Sequence, residues 1–321
     1  MNVAVMGLGW WGPKLVRNFI QHPEFDRIYG FDQDRNILNI RASELQFQAL
    51  GSIEEIWKNS QIKAVAIVTP VQTHYKLTKA ALEHGKHVLV AKPPASTPQE
   101  VEELGQMAQK TGLVYMADST FVYSAAVQRI REEIKAGTFP NLRSVQSLRL
   151  GDDMRMHHVS RIRNTMFANG VDVIEDLIFH DLSVLFSLLE GDFHIHSVQR
   201  FYNLHPTLCD TAYIDLNVGD VRVHIGYSWT LPERKRELVL YDPEKFLVFD
   251  DLQKEEKLWI YHLESQKKER LSFSQGEPLF NVVDHFAQCI KNGKEPVTGI
   301  TLMLKVMHVA ERVRHWGNAG S

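Results

Sequence analysis

Six short apolar runs separated by helical patterns fill the first 120 residues, and this alternation restricts the fold more than any other feature of the chain. The runs are NVAVM (2–6), RIYGFD (27–32), a weak one at 47–50, AVAIVT (64–69), HVLVA (87–91) and LVYMAD (113–118). AVAIVT is apolar without interruption, as a strand covered on both faces has to be. Between the runs the period becomes helical. Leu15, Val16, Phe19 and Ile20 share one face of a helix over 13–22, a short helix spans 52–58, and a helix over 73–84 stops at Gly85. Thr97, Pro98 and Glu100 give the signature of a capped helix start, with the proline in the first turn and the glutamate at the box position. Strands that alternate with helices at this spacing pair in parallel, so residues 1–120 are expected to form a doubly wound α/β domain.

The first strand runs directly into GLGWWG (7–12), a G-x-G-x-x-G that precedes a helix opened by Pro13. In this context the motif reads as a dinucleotide cradle. Gly7 allows the tight turn, Gly9 lets backbone N–H groups approach a pyrophosphate, and Gly12 lets helix and strand pack closely. The helix N-terminus then offers unpaired donors and a partial positive charge. Asp32, at the end of the second strand, stands where a carboxylate takes the adenosine ribose hydroxyls. It would repel a 2′-phosphate, which favours NAD over NADP, although Arg35 nearby leaves NADP possible. The backbone of Trp10 and Trp11, not their indoles, has to face the phosphates. One indole is expected to pack between helix and sheet and the other to border the nicotinamide end of the groove.

Beyond residue 120 the pattern changes. Helices are expected over 124–136 and 171–189. Strand candidates follow one another without helices between them, at 143–150, 194–203, 211–218, 221–229, 236–241, 245–250 and 257–262. Several alternate apolar and polar residues, as a sheet with one covered face does. Gly219 is available for positive φ in a hairpin turn at 217–220. A helical region over 279–316 ends the chain. The expected division is a Rossmann domain at 1–120 and an α+β domain with an open, mainly antiparallel sheet at 121–321.

Several segments in order, TPVQTHY (69–75), HVLVAKPPA (87–95), STFVYSAA (119–126), EDLIFHDLS (175–183) and EPLFNVVDHFAQCIKNGKEPVT (277–298), make the chain resemble the Gfo/Idh/MocA oxidoreductases over nearly its whole length. The resemblance implies a C-terminal sheet used for homodimer or homotetramer contacts. It also implies hydride transfer between NAD(P) and a carbinol or carbonyl carbon of a sugar, cyclitol or sugar nucleotide. The family's Glu-Lys-Pro lysine maps onto Lys92, and its Asp-x-x-x-His pair onto Asp176 and His180. The roles implied are His180 as general acid/base, Lys92 as polariser of the substrate oxygen and Asp176 as anchor or orienter. The chain departs from the pattern at Ala91, where the family has glutamate, and so lacks a neighbour that would favour the Lys92 ammonium. Thr69, Pro70 and His74 are expected in the cofactor groove with Lys92. Tyr123 and Arg163 are expected on the substrate, with Arg161 a further candidate for a phosphate or carboxylate. Pro93 or Pro94 offers a place for a cis bond.

Composition narrows the classes. A net charge of −3 over 321 residues gives no pull toward nucleic acid or an anionic membrane surface, and no apolar run is long enough to span a bilayer. The first strand begins at the chain start with no signal peptide ahead of it. Two distant cysteines, Cys209 and Cys289, point to a reduced, cytoplasmic protein without disulfides. The pairs His157–His158 and His194/His196 lack a third ligand at suitable spacing, so no metal is expected. Two alternatives stand beside the dehydrogenase. One is an NAD-dependent glycoside hydrolase of the same fold working by transient oxidation; the other is a non-catalytic dinucleotide-binding protein.

Overall fold

The computed structural model describes residues 1–151, 166–274 and 276–317. The chain forms two compact units, one made of Met1–Ser124 with Gly276–His308, the other of Ala125–Gln275 with Val309–Ser321.

The first unit is built on six strands: β1 (Asn2–Met6), β2 (Arg27–Phe31), β3 (Gln48–Ala49), β4 (Ile62–Ile67), β5 (His87–Ala91) and β6 (Tyr115–Asp118). They lie in the order β3-β2-β1-β4-β5-β6 with every pair parallel, which is the doubly wound sheet expected. Val3, Ala4 and Val5 of β1, Val65 and Ala66 of β4, and Val88 and Val90 of β5 are fully buried, so both faces of the sheet are covered. The helices α1 (Gly12–Gln21), α2 (Arg35–Glu44), α3 (Ile53–Lys58), α4 (Val71–Glu83) and α5 (Pro98–Thr111) connect the strands. Thr97 accepts from the Glu100 N–H and the Glu100 carboxylate accepts in return from the Thr97 N–H, the reciprocal cap that the sequence predicts. Strand order reverses between β1 and β4, and in open α/β sheets a ligand crevice opens at the carboxyl ends on such a reversal.

The terminal helical region is two helices, α8 (Pro278–Asn292) and α9 (Ile300–His315), separated at Gly293 and Pro296. α8 packs against α1 in the first unit, with Asn18 Nδ2 donating to Glu277 Oε1 at 3.2 Å and His22 Nε2 meeting Asp284 Oδ1 at 3.2 Å. A cut at residue 120 assigns this segment to the second part of the chain, whereas its packing partners are in the first. Two further helices among the described residues belong to the second unit.

Those two are α6 (Ala125–Lys135) and α7 (Val173–Leu188). The second sheet holds β7 (Ser144–Leu150), β8 (Phe193–Phe201), β9 (Thr211–Val218), β10 (Val221–Ser228), β11 (Lys235–Tyr241), β12 (Lys245–Asp250), β13 (Leu258–His262) and β14 (Lys267–Arg270). Its order is β14-β13-β12-β11-β7-β10-β9-β8, antiparallel except for the β7–β10 pair. Gly219 turns the β9–β10 hairpin at φ +55°. β14 has the sequence KKER and is fully exposed; with no apolar residue it carries no strand pattern, and backbone pairing to β13 alone forms it.

α7 has 12 of its 16 residues buried, which is why its apolar residues run around the helix instead of along one stripe. It packs on β9, β10 and α6. Asp181 is the polar contact that fixes it to the sheet. Its carboxylate accepts from Arg149 Nε at 2.9 Å with both oxygens and from Ser147 Oγ at 2.9 Å. Removing one partner of a buried pair leaves the other charge uncompensated, so Asp181→Ala is expected to lower stability by about 3 kcal/mol or more in urea unfolding. A loss below ~1 kcal/mol would contradict a structural role for this pair.

Candidate functional site

Each glycine of the 7–12 loop has its own steric setting. Gly7 has φ +92°, and a Cβ on it would lie 2.7 Å from the Val68 carbonyl oxygen. A Cβ on Gly12 would lie 2.1 Å from the Gly7 oxygen, so helix and loop are in contact there. A Cβ on Gly9 would meet nothing within 4 Å, which leaves the loop backbone open on that side. α1 begins beyond it without a side-chain cap and without an acidic residue in its first turn. Pro13 carries no N–H and the Lys14 and Leu15 N–H groups donate to the Trp11 oxygen, so an anion would be met by the loop backbone ahead of the helix and by the positive end of its dipole. Gly7, Gly9, Asp32, Thr69, Pro70 and Thr73 line a cavity of about 330 Å³, together with apolar atoms of Ile53, Val68 and Leu77. Open glycine backbone, an uncapped helix start and a strand-end carboxylate fit a dinucleotide.

Asp32 also holds the loop in place. Its Oδ2 accepts from the Leu8 N–H at 2.7 Å and its Oδ1 from the Asp34 N–H at 2.9 Å. Arg35 turns a guanidinium N–H to the Gly51 carbonyl.

The tryptophans depart from expectation. Leu8, Leu15 and Phe19 are fully buried, whereas Trp10 is exposed and Trp11 half-buried, so neither indole is a core residue. Trp10 is 76% exposed and stacks on Trp11, with the Lys14 ammonium 3.3 Å from its ring centroid. Trp11 is half-buried, and its indole N–H donates to Asp118 Oδ2 at 2.7 Å, at the carboxyl end of β6. Lys14 and Asp118 were not singled out from the sequence. Asp118 could have been, since it ends β6 as an acid just as Asp32 follows β2.

Lys92 follows β5 directly, is half-buried, and forms a cis peptide bond with Pro93. His74 serves this loop and not a ligand. It is 2% exposed, with Nδ1 2.8 Å from the Pro93 oxygen and Nε2 2.7 Å from the Thr69 oxygen. Both ring nitrogens are thus turned to the backbone that follows β4 and β5, which replaces the expected cofactor contact by a positioning role. Burial holds the His74 pKa below its ordinary value and outweighs the two carbonyls, which act to raise it. The unfolded chain then takes up a proton here more readily than the folded one. The stability involved is full above the unfolded pKa of about 6.5 and is lost as pH falls from there toward the lower folded value. His74→Gln is expected to flatten the pH dependence of unfolding between about pH 7 and 5; an unchanged slope would contradict the assignment.

Tyr123 departs from expectation too, since it is turned into the protein interior. It is 4% exposed, and its hydroxyl shares a 2.8 Å hydrogen bond with Thr298 Oγ1, which in turn donates to the Ala117 oxygen. It packs the segment before α9 against β6, so a substrate contact is not its place.

In the second unit, Asp176 and His180 lie one turn apart on α7 and are both half-buried. The helix start is fixed by Asp172, which accepts from the Glu175 N–H at 2.9 Å and from Cys209 Sγ at 3.1 Å. Arg161 and Arg163, and with them His157 and His158, lie outside the described residues. His194 and His196 meet edge-on on β8, where His196 bonds Asn217 Oδ1 at 2.8 Å. Cys209 and Cys289 are free, buried thiols; burial pushes Cys289 up to about 11 and raises Cys209 as well. No helix among the described residues is long and apolar enough to cross a membrane.

Residues 1–119 match the model of the GFO_IDH_MocA oxidoreductase family, NAD-binding Rossmann fold. The chain is 26% identical over 263 residues to the UDP-N-acetylglucosamine 3-dehydrogenase of Acidithiobacillus ferrooxidans, a match covering 82% of this chain and 77% of that protein. The solved structure of that enzyme superposes with a TM-score of 0.80 at 24% identity, covering 98% of this chain and 96% of the other, which shows a shared fold. The D-glucoside 3-dehydrogenase of Escherichia coli is 37% identical over 148 residues, 43% of this chain and 40% of that one. A 3-ketoreductase from Actinomadura kijaniata, solved with TDP-benzene and NADP, shares the fold at 13% identity with a TM-score of 0.80, over 98% of this chain and 96% of that one. Against several other curated relatives the chain spans less than half of their length, 48% in one case and 42% in another. The match assigns residues 1–119 to the NAD-binding Rossmann domain of the Gfo/Idh/MocA oxidoreductases.

Proposed function

We propose that the protein is an NAD(P)-dependent dehydrogenase or reductase that acts on a CH–OH carbon of a sugar, at ring carbon 3 of a nucleotide-linked sugar. The observation that carries this reading is the 263-residue match to a nucleotide-sugar 3-dehydrogenase, which is too long to be confined to the 119-residue cofactor domain. A sugar 3-dehydrogenase among the other relatives supports the same ring position.

Bound NAD(P) would supply the hydride acceptor for oxidation or the donor for reduction. Gly7, Gly9, Gly12 and the start of α1 would hold its pyrophosphate, with Thr69 and Pro70 along the groove. Asp32 would take the ribose hydroxyls and repel a 2′-phosphate, which supports NAD as the preferred form. Lys92 would hydrogen-bond the reacting oxygen and stabilise charge developing on it. His180 would take the hydroxyl proton in oxidation and return it in reduction, since imidazole titrates near neutral pH. Asp176, one turn away on the same helix, would orient His180 or anchor the substrate.

A second copy of the chain is the partner that suits the second sheet, making a homodimer or homotetramer. Tyr241, Phe246 and Tyr261 are cross-strand partners in register, with ring centroids 6.2 and 5.2 Å apart, and Tyr241 is 40% exposed. Two free thiols suit the cytoplasm.

The test is to incubate the purified protein with NAD⁺ and a panel of UDP- and dTDP-sugars. Reduced nicotinamide should accumulate in step with a 3-keto product. Substrate consumed with no net reduction would indicate transient oxidation, as in a hydrolase. Cofactor binding without turnover on the whole panel would indicate a binding protein.

A further inference from the structure

The carboxylate of Asp118 belongs to no element of the proposed machinery, yet it is 4% exposed at the carboxyl edge of the sheet. Burying a carboxylate is costly unless hydrogen bonds and an opposite charge compensate it. Here both kinds of compensation are present. Oδ2 accepts from the Trp11 indole N–H at 2.7 Å, and Oδ1 accepts from Thr120 Oγ1 at 2.6 Å. An indole N–H can only donate, so this oxygen acts as an acceptor. Burial pushes the Asp118 pKa up, while Thr120, Trp11 and the Lys92 ammonium pull it down. The geometry that relates this carboxylate to Lys92 is the pairing of their strands.

Strand register places Asp118 beside the residue that precedes Lys92. Ala91, the residue before Lys92, pairs directly with Asp118 across β5 and β6. A carboxylate is missing at 91, where the resemblance leads one to expect glutamate, and one is present on the facing strand. The cofactor loop also takes part, because Trp11 is the last residue before α1. One side chain therefore ties the glycine loop to the anion beside Lys92.

We propose that Asp118 is the positioning residue for Lys92: held by Trp11 and Thr120, it supplies from β6 the negative charge that Ala91 does not, and so keeps Lys92 as an ammonium directed by the cofactor loop. This rests on the reading of Lys92 as the group that polarises the substrate oxygen. An opposite charge at close range raises an ammonium pKa by ~1 to 3 units. Losing it moves the basic limb of the activity profile toward neutral pH.

The experiment compares the full-length wild type, Asp118→Asn, Asp118→Asn/Ala91→Glu and Lys92→Ala in kcat/KM against pH on the responding sugar nucleotide. Cofactor affinity and thermal unfolding are followed alongside. Asp118→Asn is expected to shift the basic limb down by about one unit, a roughly tenfold loss on that limb. Ala91→Glu in the same background is expected to move the limb back, which repair of packing alone would not do. A basic limb that stays in place in Asp118→Asn, while Lys92→Ala is inactive, overturns the Asp118 assignment and leaves the role of Lys92 standing. Wild-type activity in Lys92→Ala overturns the role of Lys92 and the inference with it. If Asp118→Asn does not fold, Trp11→Phe, which removes the indole donor and keeps the ring, is expected to shift the same limb in the same direction. An unmoved limb there contradicts the proposal.

Discussion

Lys92→Ala is expected to lower kcat by about 10²–10³-fold on the responding sugar nucleotide while cofactor affinity changes little. The size follows from what the ammonium would do. When a hydroxyl becomes a carbonyl, or the reverse, the oxygen carries more negative charge in the transition state than in either ground state. A donor held at that oxygen in a partly desolvated place therefore acts mainly on the barrier. Lys92 suits this task because it extends from the last residue of β5 at the carboxyl edge and is half-buried. The measurement is steady-state kinetics with a parallel cofactor titration. A rise in KM with unchanged kcat would place Lys92 in substrate binding alone.

The glycine loop gives a second large effect, and a contrast within it. Gly12→Ala is expected to cost about 2–3 kcal/mol of stability and to weaken cofactor binding beyond ~100-fold. Its Cβ would stand 2.1 Å from a backbone oxygen, so no side-chain rotation relieves the clash and helix or loop has to move. Gly9→Ala is expected to leave stability within ~0.5 kcal/mol, since its Cβ meets nothing in the free protein. Its cofactor affinity should nevertheless fall by at least about tenfold, because the methyl group would stand where the pyrophosphate has to come close. Thermal unfolding and titration with NAD⁺ separate the two effects. Parent-like NAD⁺ affinity in Gly9→Ala would mean that the open side of the loop does not face the cofactor.

How far the sequence revealed the fold depended on how local each signal was. β1 and β5 end where their apolar runs end, and the Thr97 cap was written in four residues. β14 was invisible because KKER forms a strand only through pairing with β13. The apolar spacing of α8 marks it as helical, but its attachment to α1 depends on contacts such as His22 with Asp284, 262 residues apart. The candidate site divides in the same way. Gly7, Gly9, Asp32, Thr69 and Pro70 line one cavity, as adjacent loops at a strand reversal have to. Asp118 needed the β5–β6 register before its relation to residue 91 appeared. His74 and Tyr123 looked like ligand contacts because a polar aromatic near a strand end reads the same whether it faces a ligand or the backbone. Only burial and hydrogen bonding separate the two.

Passage of hydride between the sugar ring and nicotinamide can be followed by isotope transfer. The responding nucleotide sugar, deuterated at carbon 3, would be incubated with the protein and NAD⁺, and the reduced cofactor analysed by mass spectrometry. One deuterium is expected on the nicotinamide for each 3-keto product formed. Deuterium released to water, or retained in the sugar with the cofactor unlabelled, would contradict it.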